Sequence, residues 1–92
     1  MAKVILSPEA LRDLESIHEY ISNDSEYYAD KLIDKIIHRI SILENNSLIS
    51  KVVREFKNSL IREVIEGNYR IIYEILNERK ITILRVYHSA GL

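Results

Sequence analysis

Four side chains near the end of this sequence could carry chemistry together: Arg70, Arg85, Tyr87 and His88. Guanidinium groups receive carboxylates or phosphates through paired, charge-assisted hydrogen bonds. A histidine beside them can serve as general acid or base. Each also has a plainer use. Arg70 and Arg85 can pair with Glu63 and Glu74 in a surface network of small energetic value. His88 can pack, hydrogen-bonded, on the core side of its strand. The isoleucines that accompany the arginines favour a binding surface over an idle one. Elsewhere the sequence offers little. His18 and His38 stand among charged residues without a second ligand at metal-site spacing, and read as surface histidines. Ser7 and Ser89 have no base or orienting acid at a readable spacing. Gly67 and Gly91 are the only glycines, so no phosphate-cradling loop exists. The absence of cysteine excludes a disulfide scaffold, a thiolate nucleophile and a Cys-based zinc site. No metal and no cofactor are expected.

The elements that must position these residues are three apolar runs, Ile61–Glu66, Tyr69–Leu76 and Lys80–His88, rich in the β-branched and aromatic residues that suit a pleated surface. Gly67-Asn68 is a two-residue hairpin connection of type II′, and Glu78-Arg79 is the second turn. The result is an antiparallel meander. Its predicted register sets Ile65 opposite Arg70, Glu63 opposite Ile72 and Ile61 opposite Glu74. On the next ladder Arg70 faces Tyr87, Ile72 faces Arg85 and Glu74 faces Ile83. Alternation then gives a core face of Val64, Tyr69, Ile71, Tyr73, Ile75, Leu84 and Val86. The other face collects Ile61, Glu63, Ile65, Arg70, Ile72, Glu74, Ile83, Arg85 and Tyr87. That mixture is too apolar for an idle solvated face and too charged for a core. Ile65, Arg70, Ile72, Ile83, Arg85 and Tyr87 are therefore the predicted partner-binding residues. A slip of one residue would exchange the two faces.

Upstream, Lys3–Leu6 reads as a short strand. Ser7-Pro8-Glu9 then starts a helix with an N-cap, a first-turn proline and an acid at the positive end. Leu11, Leu14, Ile17 and Ile21 make its apolar stripe, and Asn23-Asp24-Ser25 ends it. A second helix, from about Glu26 to Glu44, carries Ala29, Leu32, Ile33, Ile36, Ile37, Ile40 and Leu43. This helical hairpin packed on one face of an antiparallel sheet is a two-layer α+β fold in the order β-α-α-β-β-β. Asn45–Ser59 reads as a long connection pinned by Val52, Val53 and Phe56. With Lys51, Arg54 and Lys57 it is the most basic stretch, either a solvated loop or a rim for phosphates or acids.

A chain of 92 residues is expected to form one domain over residues 1–92, with a formal net charge of −1 that gives no global attraction to nucleic acid. The opening residues are too short an apolar run for a signal peptide, and no stretch spans a bilayer. No membrane partner and a cytoplasmic location are expected.

Three segments, VILSPEALRDLESIHEYI, IREVIEGNYRIIYEI and ITILRVYHSAGL, resemble the ParE/RelE superfamily of bacterial toxins from type II toxin–antitoxin, or plasmid-stabilisation, systems. The resemblance covers nearly the whole chain. It implies the same element order and a cognate antitoxin, a segment that folds across the toxin to form a heteromeric complex. RelE-like members of that superfamily are mRNA interferases, metal-independent endoribonucleases that cut messenger RNA in the ribosome. ParE-like members inhibit DNA gyrase without catalysis of their own. Carried over residue by residue, the RelE-type arginine falls on Arg70, which many ParE-like members share. The two lysines expected on the preceding strand fall near Ile61 and Glu63, and no tail follows Leu92 to supply a terminal tyrosine. The ending LRVYHSA is ParE-like. The resemblance thus implies a non-catalytic gyrase inhibitor, with a nuclease using Arg70, Arg85, Tyr87 and His88 as the alternative. A relative that keeps only antitoxin binding and autoregulation is the third reading. Where such endings carry arginine this chain has Gly91, which implies attenuated toxicity.

Overall fold

The computed structural model describes residues 2–46, 51–52 and 60–89. Strand β1 (Lys3–Leu6) is followed by helices α1 (Pro8–Ser22) and α2 (Glu26–Asn46). A two-residue strand β2 (Lys51–Val52) precedes β3 (Ile61–Glu66), β4 (Tyr69–Asn77) and β5 (Lys80–His88). The two-layer α+β arrangement is the one the sequence implies. The sheet is mixed, however, in the order β1-β5-β4-β3-β2, because β1 lies parallel to β5.

Local chemistry explains the joints. Ser7 caps α1 by accepting the Ala10 N–H at 3.0 Å, and its hydroxyl donates to the Leu84 carbonyl at 3.0 Å. One side chain thereby starts the helix and ties it to β5. Ser25 accepts the Tyr28 N–H at 3.2 Å where α2 begins. Gly67 sits at φ 59°, in the left-handed region that glycine alone enters cheaply. Within the connection predicted as a loop, Lys51 and Val52 pair with Glu63 and Arg62 on β3. Val53, Arg54, Phe56 and Lys57 lie outside the described residues, as does Gly91.

The core lies between the helices and one sheet face. Ile36, Leu43, Ile71, Tyr73, Ile81, Ile83 and Val86 are essentially inaccessible there. Ala10 and Ala29 are fully buried on the helices, where small side chains permit close approach. Two register shifts interrupt the β4–β5 ladder. Tyr73 pairs with Ile83 although Ile72 pairs with Arg85, so Leu84 is the extra residue of a bulge.

The bulge corrects the predicted faces. Glu74 pairs with Thr82 rather than Ile83. Ile83 turns into the helix-covered core at 0% exposure, and Leu84, predicted as core, is only half-buried. One extra residue reverses alternation on everything before it, so the reading holds from Arg85 onward and inverts at Ile83.

Candidate interaction surface on the sheet

Beyond Leu84 no strand among the described residues lies beside the outer edge of β5, since β1 reaches only Lys80–Ile83. Helix α1 runs along that edge instead. Its Asp13 accepts the Val86 N–H at 2.8 Å on Oδ2, blocking the ladder with a side chain. The same carboxylate takes both prongs of Arg85, from Nε at 2.7 Å and from Nη2 at 3.0 Å. On the other side, Arg70 donates from Nε (3.1 Å) and Nη2 (2.6 Å) to Oε2 of Glu63. Between the arginines lies the Tyr87 ring, with its centroid 5.5 Å from the Arg70 guanidinium carbon and 5.8 Å from that of Arg85.

The result is a row across the sheet: Glu63, Arg70, Tyr87, Arg85, Asp13. Its formal charges cancel within the chain. Burial raises the Asp13 pKa, but the Arg85 and Val86 hydrogen bonds and the Arg85 and Arg12 charges together outweigh it, holding the carboxyl below its ordinary value. The Asp13 hydrogen bond and charge push Arg85 upward in turn. Such a row is preorganised and polar, yet it spends its own cations.

The structure brings together Arg70, Arg85 and Tyr87 as the sequence implies, with Ile65 opposite Arg70 and 43% exposed. Ile72 lies on this face between Glu63 and Arg85, but only 2% of it is accessible. Ile83 is absent from the face, displaced by the bulge. His88 shares the core-side face with Tyr69 and stacks on it edge-to-face at 5.2 Å, but is exposed rather than packed. Of the predicted arginine partners, Glu63 is found and Glu74 is replaced by Asp13. That residue, 72 positions from Arg85, was missed. Its only sequence signal is an acid off the apolar stripe of a helix that follows β1 directly. Among the described residues no cluster of His, Asp and Glu could hold a metal. His18 binds Asp30 at 2.7 Å, linking α1 to α2.

A model of the ParE toxin of type II toxin–antitoxin systems (parDE) matches residues 4–92. The chain belongs to the ParE toxin family. Among solved structures, a chain of the chromosomal ParDE TA system from P. aeruginosa superposes with a TM-score of 0.77 at 18% identity, covering 96% of both chains. A chain of the RelBE2 toxin–antitoxin complex from Mycobacterium tuberculosis gives 0.71 at 24% identity, covering 98% of this chain and 93% of that one. No curated protein sequence matches. The two structures share the fold with this ParE-family toxin. One comes from a ParDE system and the other from a RelBE2 complex, so the fold spans both names and residue chemistry must choose between mechanisms.

Proposed function

We propose that this ParE-family toxin acts by binding DNA gyrase, without catalysis, and that a cognate antitoxin neutralises it in the cytoplasm by covering the row on the sheet. The observation that carries the reading is the pairing of both row arginines with carboxylates of their own chain. Cleavage of RNA needs cations that meet developing charge on phosphorus, and Glu63 beside Arg70 would repel it. A protein partner needs something else. It needs an exposed aliphatic such as Ile65, an aromatic centre such as Tyr87, and charges fixed in register. Antitoxin binding and target binding both use those features.

The test sets purified gyrase against a cell-free translation extract. The toxin should block supercoiling and spare translation. Ribosome-dependent cleavage of messenger RNA, abolished by Arg70→Ala, would overturn the reading in favour of the nuclease. Gly91 adds a second arm. If an arginine at that position belongs to the active surface, Gly91→Arg should strengthen growth arrest when the toxin is induced alone. Full toxicity, unchanged by that substitution, removes residue 91 from the surface.

A further inference from the structure

On the opposite side of the sheet, a groove of about 550 Å³ opens between the helical hairpin and the β3–β4 turn. That volume is within the roughly 300–1,000 Å³ of typical ligand clefts. Tyr20, Tyr28, Tyr69 and His88 line it, with Lys31 and Lys35 along α2. Tyr20 is 76% and Tyr28 67% exposed, a large aromatic area to leave in water. Its one acid, Glu66, is engaged by Arg39 of α2 at 3.4 Å. Lys31 and Lys35 form no ion pair among the described residues. The Lys31 ammonium lies 5.1 Å from the centroid of the Tyr27 ring, and neither lysine charge is neutralised by an acid there. A smaller depression of about 330 Å³ shares Tyr20, Tyr69 and His88 and continues the groove towards Tyr87.

We propose that this groove binds single-stranded nucleic acid. Flat π surfaces and lysines without an acid partner among the described residues, along one track, match a ligand that is both anionic and aromatic at each repeat. An acidic peptide would satisfy the lysines but make no use of the exposed faces of Tyr20 and Tyr28. Lys31 and Lys35 are four residues apart on one helix, about 6 Å along its axis, close to the step between phosphates of an extended strand. The main groove shares no lining residue with the row on the sheet, although the smaller depression reaches Asp13 and Tyr87 of that row, and the proposal does not depend on gyrase inhibition. Loss of one activity without the other would distinguish them.

Fluorescence anisotropy of labelled oligothymidylate and oligouridylate with the full chain at low salt tests the proposal. Binding of either probe supports it. The logarithm of affinity should fall with that of salt with a slope of about −1.4, the value for two phosphates on a single strand. Tyr28→Ala should weaken binding roughly tenfold, the loss of one stacked base. The double variant Lys31→Glu with Lys35→Glu should abolish it, while Lys80→Glu, a charge reversal at the far end of β5, leaves it unchanged. Circular dichroism of each variant checks the fold. Absence of binding by the unaltered chain, an equal loss in Lys80→Glu, or equal competition by polyglutamate would overturn the proposal.

Discussion

The two faces of this sheet handle charge in opposite ways. On the open face both row arginines are met by acids of the same chain, Arg70 by Glu63 and Arg85 by Asp13. Across the sheet, in the helix-side groove, Lys31 and Lys35 meet no acid among the described residues, and tyrosines stand exposed around them. The first face has its charges already paired, which suits a partner that reads shape and fixed dipoles. The second leaves lysine charge without an acid partner among the described residues beside exposed aromatic area. Counting arginines would locate an anion site on the wrong face. Whether a cation is already spent matters more than whether it is present.

The contrast breaks most visibly at Ile72. Although it lies on the open face, only 2% of it is accessible. Ile72→Glu should therefore destabilise the fold by roughly 3 kcal/mol or more, since it places a carboxylate where water cannot reach. Ile65→Glu, on a side chain 43% exposed, should change stability by less than about 0.5 kcal/mol while weakening antitoxin binding. Urea midpoints separate the two, and calorimetric titration with the antitoxin reads the second effect. Equal midpoints would mean that the open face is accessible at its centre.

Asp13 ranks next. Asp13→Ala leaves the Val86 N–H and the Arg85 fork without their acceptor, an expected loss of about 2–3 kcal/mol for a carboxylate only 15% exposed. Its lowered folded-state pKa fixes the sign of the pH dependence. The folded state favours the ionised carboxylate, so its contribution is complete above the unfolded value of about 3.9. It disappears as pH falls through the lower folded value. Asp13→Asn should flatten the acid limb of the stability curve below about pH 4. An acid limb unchanged in that variant would assign the acid sensitivity to other carboxylates.

How these faces could be read from sequence depends on the range of each signal. Gly67-Asn68 fixed the β3–β4 ladder locally, and all three predicted pairs, Ile61–Glu74, Glu63–Ile72 and Ile65–Arg70, are present. The second ladder was read correctly at Arg70–Tyr87 and Ile72–Arg85 and lost at Leu84. Nothing in ITILRVYH marks one residue as extra, because the bulge is held by Ser7, which bonds the Leu84 carbonyl from 77 positions away. The hairpin of helices was legible from its 3.6-residue stripes. Its placement along β5 was not, since that follows from the parallel pairing of β1, and Asp13 was missed with it. The groove was invisible for a similar reason. Tyr20, Lys31, Tyr69 and His88 come from four elements, and only packing sets them around one space.

Glu63→Gln sharpens the comparison with a smaller stability effect. Glu63 and Arg70 are each about four-fifths buried at the side chain, so losing the charge should cost about 1–2 kcal/mol. The amide keeps an oxygen for Arg70, and the row gains a net positive charge. If neutrality keeps anions off this face, Glu63→Gln should create oligonucleotide binding that survives Lys31→Glu with Lys35→Glu in the groove. Circular dichroism melts and the same anisotropy titration measure both halves. A variant that loses stability without gaining affinity would show that geometry, not charge cancellation, excludes phosphates from the row.

The smallest effect is expected at Tyr20, and it separates a ligand site from a structural one. Its ring is 76% exposed at the end of α1, so folding gains little from it. Tyr20→Ala should leave the urea midpoint within about 0.5 kcal/mol of the parent, the range for surface substitutions that touch no cap or core residue. The neighbouring Tyr69 is different, because it packs against the core cluster and stacks with His88. Tyr69→Ala should lower stability by about 1–3 kcal/mol as well as removing a groove wall. A groove that serves a ligand therefore has one wall that folding needs and another that folding does not. If Tyr20→Ala proves as destabilising as Tyr69→Ala, both rings are structural and the exposed aromatic area loses its functional meaning.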